Sequence, residues 1–383
     1  MNFDFTNEQL AVQQMAKNFA NEQIKPIASH LDEEAKYPEN LISQMAELGL
    51  MGIAIPAEYG GSGMDYVSYV LAMEEISSAC AGTGVIMSVN NSLVCDPLLK
   101  YGTEEQKREI LTPLASGKML GCFALTEPGS GSDAGALRTT AKKDKNEYIL
   151  NGEKNFITNA PQADWAIVFA TIDRSLKHKG VTAFLVPLKS YKGVTVGPKE
   201  KKLGIRASWS SSIILEDVRI PEKWRLGKEG EGFKVAMTTL DAGRIGIAAQ
   251  ALGIAKAALE ESIEYAKQRQ TFGKPIAQHQ AIGFMIADMA TKLDAARLLT
   301  LHAAWKKDRG ERHTVESSMA KLFAAETAME ITTKAIQIHG GYGYLKDYPV
   351  ERHFRDAKIT EIYEGTSEIQ RLVIASSIFK ETV

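Results

Sequence analysis

Residues 123–136 read FALTEPGSGSDAGA, and within them G-S-G-S-D-A fits the G-x-G-x-x-[G/A] pattern of a dinucleotide-binding turn. That fingerprint requires a strand before it and an amphipathic helix opening on its glycines, inside a βαβ unit. CFAL at 122–125 reads as a strand. The residues that follow, LRTTAKKDKNEYIL at 137–150, are polar and then enter another strand, so no helix starts on the glycines. Parallel β-α alternation is absent from the rest of the sequence as well. The Rossmann reading fails on context. What remains is a loop of Gly, Ser and Asp whose successive backbone N–H groups are free to converge on an anionic or carbonyl-rich ligand.

The loop lies where the grammar of the chain changes. Residues 1–120 read as short helices: FTNEQLAVQQMAKNFANEQI repeats apolar positions at three- and four-residue spacing behind Thr6 as N-cap, and EYGGSGMD is a glycine-rich turn. Residues 121–230 hold five short β-rich runs, EYILNGEKNFITN, WAIVFATI, VTAFLVPL, VTVGPKE and SSIILEDVRIP, each bounded by turn residues or charges. Their close spacing predicts a small antiparallel barrel or sandwich. From Glu231 to Val383 the period is helical again, with more than thirty proline-free residues after Gly232 and two further long stretches rich in small residues. Such helices bury themselves against one another or against other subunits. The expected fold class is α+β: an N-terminal helical domain (1–120), a middle antiparallel β-barrel domain (121–230) and a C-terminal helical bundle (231–383).

Composition removes several function classes. The 383 residues carry 45 Lys and Arg against 47 Asp and Glu, a net charge of −2, which gives no electrostatic reason to expect nucleic acid. No run approaches the ~18 apolar residues of a membrane span, and MNFDFTNEQL lacks the basic-then-apolar order of a signal peptide. Cys80, Cys95 and Cys122 form no CxxC pair, which points to reduced thiols in a cytoplasmic setting. The seven histidines show no ligand spacing, so no metal site is expected, and Ser62 in YGGSGMD lies outside any G-x-S-x-G elbow. The methionine runs read as core, and Arg352 and Arg355 in ERHFRD as structural or interface charges.

Four stretches in order, CFALTEPGSGSDAG, GEKNFITNA, RQTFGKPIAQHQA and QIHGGYGYLKDYPVERHFRDAKITEIYEGTSEIQ, resemble the acyl-CoA dehydrogenase family over essentially the whole chain. ACAGTGVIMSVNNSL and LDAGRIGIAAQALGIA are similar to its short-chain, butyryl-type branch. The resemblance makes the C-terminal helices a four-helix bundle and the glycine loop part of an FAD site. It implies that Phe123, Leu125, Thr126 and Ser132 border the flavin, with Phe156, Ile157 and Thr158 on its other flank. Arg269, Thr271, Phe272 and Gln280 match residues holding the diphosphate and adenosine. Gln337, Gly340 and Gly341 match a loop reaching FAD across a subunit interface, and Thr366 and Glu368 match contacts beside the catalytic segment. Ser132, Asp241, Gly243, Arg244 and Gly365 match the lining of the CoA thioester. The implied partners are an acyl-CoA and electron-transferring flavoprotein, and the implied assembly is a homotetramer, a dimer of dimers.

Desaturating an acyl thioester needs a base for the α-proton and a hydride acceptor on the opposite face, and in this family the flavin is that acceptor. Glu364 in EIYEGTSEIQ matches the base. Flanked by Ile362, Tyr363 and an acyl chain, its carboxylate is expected to be desolvated and its pKa raised towards working pH. Gly365 lets the backbone come close, and an N–H at this turn would polarise the thioester carbonyl, a contact of about 3–4 kcal/mol where measured elsewhere. Read alone, GTSE is only a helix start with Thr366 as N-cap. Isovaleryl- and long-chain relatives place their base at the position of Gly243, so the two positions agree on one base, Glu364. Glutaryl-type relatives carry arginine at the position of Gly84, which disfavours a dicarboxylyl substrate. Trp209 replaces a small hydroxyl residue common in relatives and puts the detail of the nearby flavin edge in question. The resemblance thus implies a short-chain acyl-CoA dehydrogenase acting on about four to six carbons. Competing readings are an isobutyryl or 2-methylbutyryl enzyme, an oxygen-using acyl-CoA oxidase, and a flavin-retaining helical binding protein without activity.

Overall fold

The computed structural model describes residues 4–381. The N-terminal region is built from helices α1 (Asn7–Phe19), α2 (Ala28–Glu33), α3 (Glu39–Glu47), α4 (Tyr66–Ala79), α5 (Ala81–Ser88), α6 (Asp96–Tyr101), α7 (Glu104–Gln106) and α8 (Thr112–Ala115). Thr6 caps α1 through a reciprocal box: Gln9 N–H donates to the Thr6 hydroxyl, and Thr6 N–H donates to the Gln9 side-chain oxygen. Asp65 caps α4 by accepting from Ser68 N–H at 2.7 Å. Helix α4 is buried along almost its whole length because helices pack on it from several sides.

The middle region is a sheet of eight strands: β1 (Gly121–Ala124), β2 (Thr140–Asp144), β3 (Glu147–Thr158), β4 (Trp165–Thr171), β5 (Val181–Pro187), β6 (Val194–Val196), β7 (Ser210–Pro221) and β8 (Arg225–Leu226). The order is β6-β7-β3-β2-β4-β5-β8, with β1 also on β4. The all-antiparallel expectation needs correcting, since β1 runs parallel to β4 and β2 touches β4 in parallel at Thr140–Thr171. The chain leaves β1 through the glycine loop and returns along the β2–β3 hairpin, so it enters β4 heading the same way as β1. Strand β2 lacked a sequence signal because its Lys142 and Lys143 face solvent.

Two irregularities in β3 matter for the site. Pairing with β7 shifts register between Leu150 and Gly152 and again between Lys154 and Ile157. At the second shift Phe156 has a left-handed φ of 58°. Strand alternation is broken there: Lys154 and Ile157 point into the structure, while Phe156 stands 65% exposed.

The C-terminal region is built from α9 (Gly232–Gln268), α10 (Gln280–Asp308), α11 (Thr314–His339), α12 (Val350–Thr360) and α13 (Ser367–Glu381), with a short antiparallel pair, β9 (Gln270–Thr271) and β10 (Lys274–Pro275), between α9 and α10. Helix α9 packs against α4, α10, α11 and α12. Its close approach to α4 needs glycine, because a Cβ at Gly253 would collide with the Glu74 carbonyl and come within 2.8 Å of Ser77. Among the described residues no helix is long and apolar enough to cross a membrane.

Candidate active site

A cleft of about 1360 Å³ opens where the three regions meet. Val85, Val89 and Leu93 line it from the N-terminal helices, and Leu240 and Arg244 from α9. Phe123 and Phe156 line it from the sheet, and the turn at 362–366 closes another side. The glycine loop forms part of this wall and is held from behind. The Glu127 carboxylate accepts from the backbone N–H groups of Arg138 and Thr139 and from Lys154 Nζ at 2.8 Å. Lys154 also donates to the Leu125 carbonyl. Burial pushes Glu127 up, but Lys154 and the N–H donors outweigh it and hold the carboxyl below its ordinary value.

Glu364 faces the cleft from a turn that only a special backbone allows. Its φ is 53° and that of Gly365 is 94°, so both lie in the left-handed region. A Cβ on Gly365 would come within 2.6 Å of Gln370 Nε2. The Gly365 carbonyl accepts from Gln370 Nε2 at 2.8 Å and from Lys321 Nζ at 2.7 Å. The Glu364 carbonyl accepts from Gln370 Nε2 as well, and Ser367 N–H donates back to Glu361 O. Among the described residues the N–H groups of Glu364 and Gly365 donate to nothing. The Glu364 Oε2 atom is buried without a hydrogen-bond partner. Burial raises its pKa to about 7, with the charges of Lys321 and Arg244 pulling back the other way.

Gly243 explains how the carboxylate fits. A Cβ there would collide with Glu364 Oε2 and come within 2.7 Å of Leu93 Cδ2. The two positions that the sequence treats as alternatives for a base occupy one volume. Thr366 Oγ1 accepts from Ile369 N–H at 3.3 Å, so Thr366 does cap α13, and Glu368 sits in the first turn of that helix.

The other expected residues divide into groups. Phe123, Leu125, Thr126, Ser132, Phe156, Thr158, Arg244, Gly365 and Thr366 line the same cleft as Glu364. Ile157 does not: the bulge beside it turns it into the sheet core, 2% exposed. Asp241 is drawn into the α9–α11 interface, where it accepts from Arg244 Nη1 and from the Thr314 hydroxyl, each at 2.7 Å. Arg269, Thr271, Phe272, Gln280, Gln337, Gly340 and Gly341 lie outside the cleft, at the far ends of α9 and α11 and the start of α10. There the Arg269 guanidinium sits over the Tyr342 ring, Thr271 bonds His279, and Phe272 is 96% exposed at φ 51°. One chain by itself does not bring that group to Glu364. Trp209 lines no part of the cleft; its Nε1 donates to Ala35 O at 2.8 Å, and its ring meets Tyr37 and Lys199. Arg355 touches the cleft edge but is committed to Asp32 and Glu351, and Arg352 donates to Ser29.

Residues that sequence reasoning missed stand behind the site. Lys321 is buried on α11 in the run SSMAKLFAA; its spacing from Ser317, Ser318, Ala324 and Ala328 places it on the buried face, and that periodicity was the available signal. Tyr363 donates to the buried Gln250 on α9, which in turn donates to Ala81 O. Neither Glu127 nor Lys154 announces the pair, since they lie 27 residues apart.

The shape and apolar lining of the cleft fit a flavin. The cleft exceeds the ~300–1,000 Å³ of a single-ligand pocket, leaving room for a flat ring beside a substrate. Phe156 and Leu203 stand exposed on its wall, where a flat apolar surface would cover them, and Gly131 has open space where a side chain would be. Phe156, Thr158, Thr126 and the backbone of 125–132 are the groups that would hold the ring.

Comparison with known proteins gives the family. Residues 6–118, 122–218 and 230–379 match the N-terminal, middle and C-terminal domain models of acyl-CoA dehydrogenase. The chain is 55% identical to the mitochondrial short-chain specific acyl-CoA dehydrogenase of Bos taurus, over 96% of this chain and 89% of that protein. It is 49% identical to the short-chain specific enzyme of Clostridium acetobutylicum, over 99% of this chain and all of that one. The solved butyryl-CoA dehydrogenase of Megasphaera elsdenii superposes with a TM-score of 0.97 at 45% identity, covering 99% of this chain and 100% of that chain. The chain belongs to the acyl-CoA dehydrogenase family of FAD-dependent oxidoreductases.

Proposed function

We propose that this protein desaturates a short, straight-chain acyl-CoA between the α and β carbons to the trans-2-enoyl-CoA, with Glu364 as the base that removes the α-proton. The observation that carries the reading is the Glu364 carboxylate, buried in the cleft with one oxygen unpartnered and a pKa near 7. A base with that pKa is about half ionised at neutral pH and is strong enough to take a proton made acidic by a thioester. The free N–H groups at Glu364 and Gly365 suit the thioester carbonyl, whose polarisation acidifies the α-carbon. Arg244 lines the cleft with its guanidinium paired to Asp241 at 2.7 Å. Bound FAD supplies the hydride acceptor for the β-carbon.

Short acyl length is supported by the relatives, which are named short-chain specific and butyryl-CoA enzymes. Gly84 stands at the position where the resemblance implies an arginine in glutaryl-type relatives, and here even a Cβ would collide with Ser77 Oγ. Electron-transferring flavoprotein is the proposed acceptor. A neighbouring chain with TM-score 0.97 and 48% identity, covering 99% of each chain, comes from a structure described as the electron transferring flavoprotein of Acidaminococcus fermentans. The exposed Phe272, Tyr344 and Phe284 at the Arg269 end suit burial in a homotetramer, which would complete the FAD site with a second chain's Gln337–Gly341 loop. Three buried, unpaired cysteines suit a reducing, cytoplasmic compartment.

Anaerobic reduction by butyryl-, isobutyryl- and palmitoyl-CoA tests the substrate. Butyryl-CoA is expected to be fastest by at least about tenfold. Comparable rates on palmitoyl-CoA, or a faster isobutyryl-CoA, would overturn the assignment of a short straight chain and leave the desaturation itself standing.

A further inference from the structure

Lys321 sits midway along α11 with its side chain fully buried. Its ammonium donates to the Gly365 carbonyl at 2.7 Å and enters no ion pair within 4.0 Å among the described residues. A buried ammonium with only a neutral acceptor costs several kcal/mol, and an apolar side chain of similar length would fill the same slot without that penalty. The location tells what the penalty is for. The carbonyl it holds belongs to the residue after Glu364, in a turn whose two consecutive residues have φ of 53° and 94°. With Gln370 Nε2 on the same oxygen, both lone pairs of Gly365 O are occupied and the peptide plane is fixed.

We propose that Lys321 is a positioning residue for the proton-abstracting carboxylate: its ammonium pins the Glu364–Gly365 turn through the backbone and, through space, keeps Glu364 ionised. The proposal rests on Glu364 being the base.

The surrounding charges leave Lys321 that role. From α9, Arg244 also acts on Glu364, but its guanidinium is held by Asp241 at 2.7 Å. Glu361 before the turn and Glu368 at the start of α13 face Lys321 from either flank and favour its charge, while Arg244 opposes it. Tyr363 beside Glu364 and Tyr69 on α4 are buried phenols whose ionisation the Glu364 charge resists. Burial lowers Lys321 to about 8, with Glu364 the largest influence restoring it. When Glu364 takes up the substrate proton, the ammonium loses that support, so the pair passes from net neutral to a net positive charge.

The test compares holoenzymes of wild type, Lys321→Met, Lys321→Gln, Lys321→Arg and Glu364→Gln by anaerobic reduction with butyryl-CoA across pH 6 to 9.5, together with thermal melting. Lys321→Gln keeps a donor for Gly365 O and removes the charge, so it stands in if Lys321→Met fails to fold. Without the charge the acid limb of the rate profile should move up by about one unit, giving about a fivefold loss at pH 7 and about a tenfold loss at pH 6, recovering by pH 9. Lys321→Arg should return the limb towards wild type. A loss of the same factor at every pH, or an unmoved limb in both uncharged variants, overturns the proposal. Glu364→Gln separates the two readings. If it still reduces flavin, the base assignment has failed; if it is inert while the uncharged variants keep the wild-type limb, only the role of Lys321 has failed.

Discussion

Two lysines, Lys154 behind the glycine loop and Lys321 behind the 362–366 turn, are both fully buried, and each lies beside a glutamate that borders the cleft. Burial lowers both to about 8. The resemblance ends there. Lys154 bonds Glu127 directly at 2.8 Å, and Glu127 has every oxygen occupied by Lys154 or a backbone N–H. Lys321 bonds a carbonyl instead, and Glu364 keeps an oxygen with no partner. A buried pair that is fully satisfied fixes a loop; a buried pair kept apart leaves a carboxylate with the freedom and the pKa to take a proton. The two walls of one cleft therefore use the same residue types for structure and for chemistry.

The sharpest way to break this contrast is to crowd the free carboxylate. Gly243→Ala puts a methyl into the Oε2 position, and displacing a reacting group by ~1 Å costs about 100-fold. Stopped-flow reduction by butyryl-CoA should show that loss with the melting temperature little changed; a near wild-type rate would mean the carboxylate does not work from where it sits. On the other wall, Glu127→Ala leaves Lys154 buried and unpaired, a change of about 3–5 kcal/mol in unfolding free energy. Denaturant unfolding at pH 7 should report it, and a change under ~1 kcal/mol would say the pair is not what holds the loop.

A subtler effect follows from the pKa of Glu364. In the folded protein it is about 7 against an ordinary carboxyl value of 4.5, so between those values the folded state holds a proton that the unfolded state lacks. Glu364 therefore withdraws stability as pH rises from about 4.5 to about 7, and the loss is complete above that. Glu364→Gln removes the ionisable group and should stabilise the protein at pH 8 by on the order of 3 kcal/mol, with less than about 1 kcal/mol at pH 5. Melting curves at the two pH values check it; an equal effect at both would contradict the burial of the charge. The smallest expected effect lies away from the cleft. Trp209→Phe loses one hydrogen bond to Ala35, about 1 kcal/mol, and should leave flavin binding unchanged. Weakened flavin affinity would place Trp209 closer to the ring than the cleft lining does.

The helix–sheet–helix order was readable because each region keeps one hydrophobic period, and the Rossmann alternative fell to a missing helix. The parallel pairing of β1 and β2 with β4 was not readable. It depends on where a polar loop returns, and β2 shows lysines to solvent. The short motifs could be read because their residues are neighbours in sequence, Glu364 with Gly365 and Thr366, and Phe156 with Thr158, and the fold brings both groups to one cleft. The bulge that exposes Phe156 and buries Ile157 left no mark in the sequence, where both simply look apolar. Lys154 and Lys321 were also out of reach, because what makes a buried lysine matter is the group it meets from a distant segment. Gly243 was legible only as an alternative position for a base; its contact with Glu364 is a fact of three dimensions.

The central claim is that Glu364 is the base. Its most direct test is the visible spectrum of the flavin-loaded protein mixed with butyryl-CoA in the absence of oxygen, wild type beside Glu364→Gln. The account predicts a yellow wild type that bleaches and a variant that binds flavin but bleaches at least about a thousandfold more slowly, within the 10²–10⁴ range of a lost general base. A Glu364→Gln protein that bleaches at the wild-type rate would contradict it.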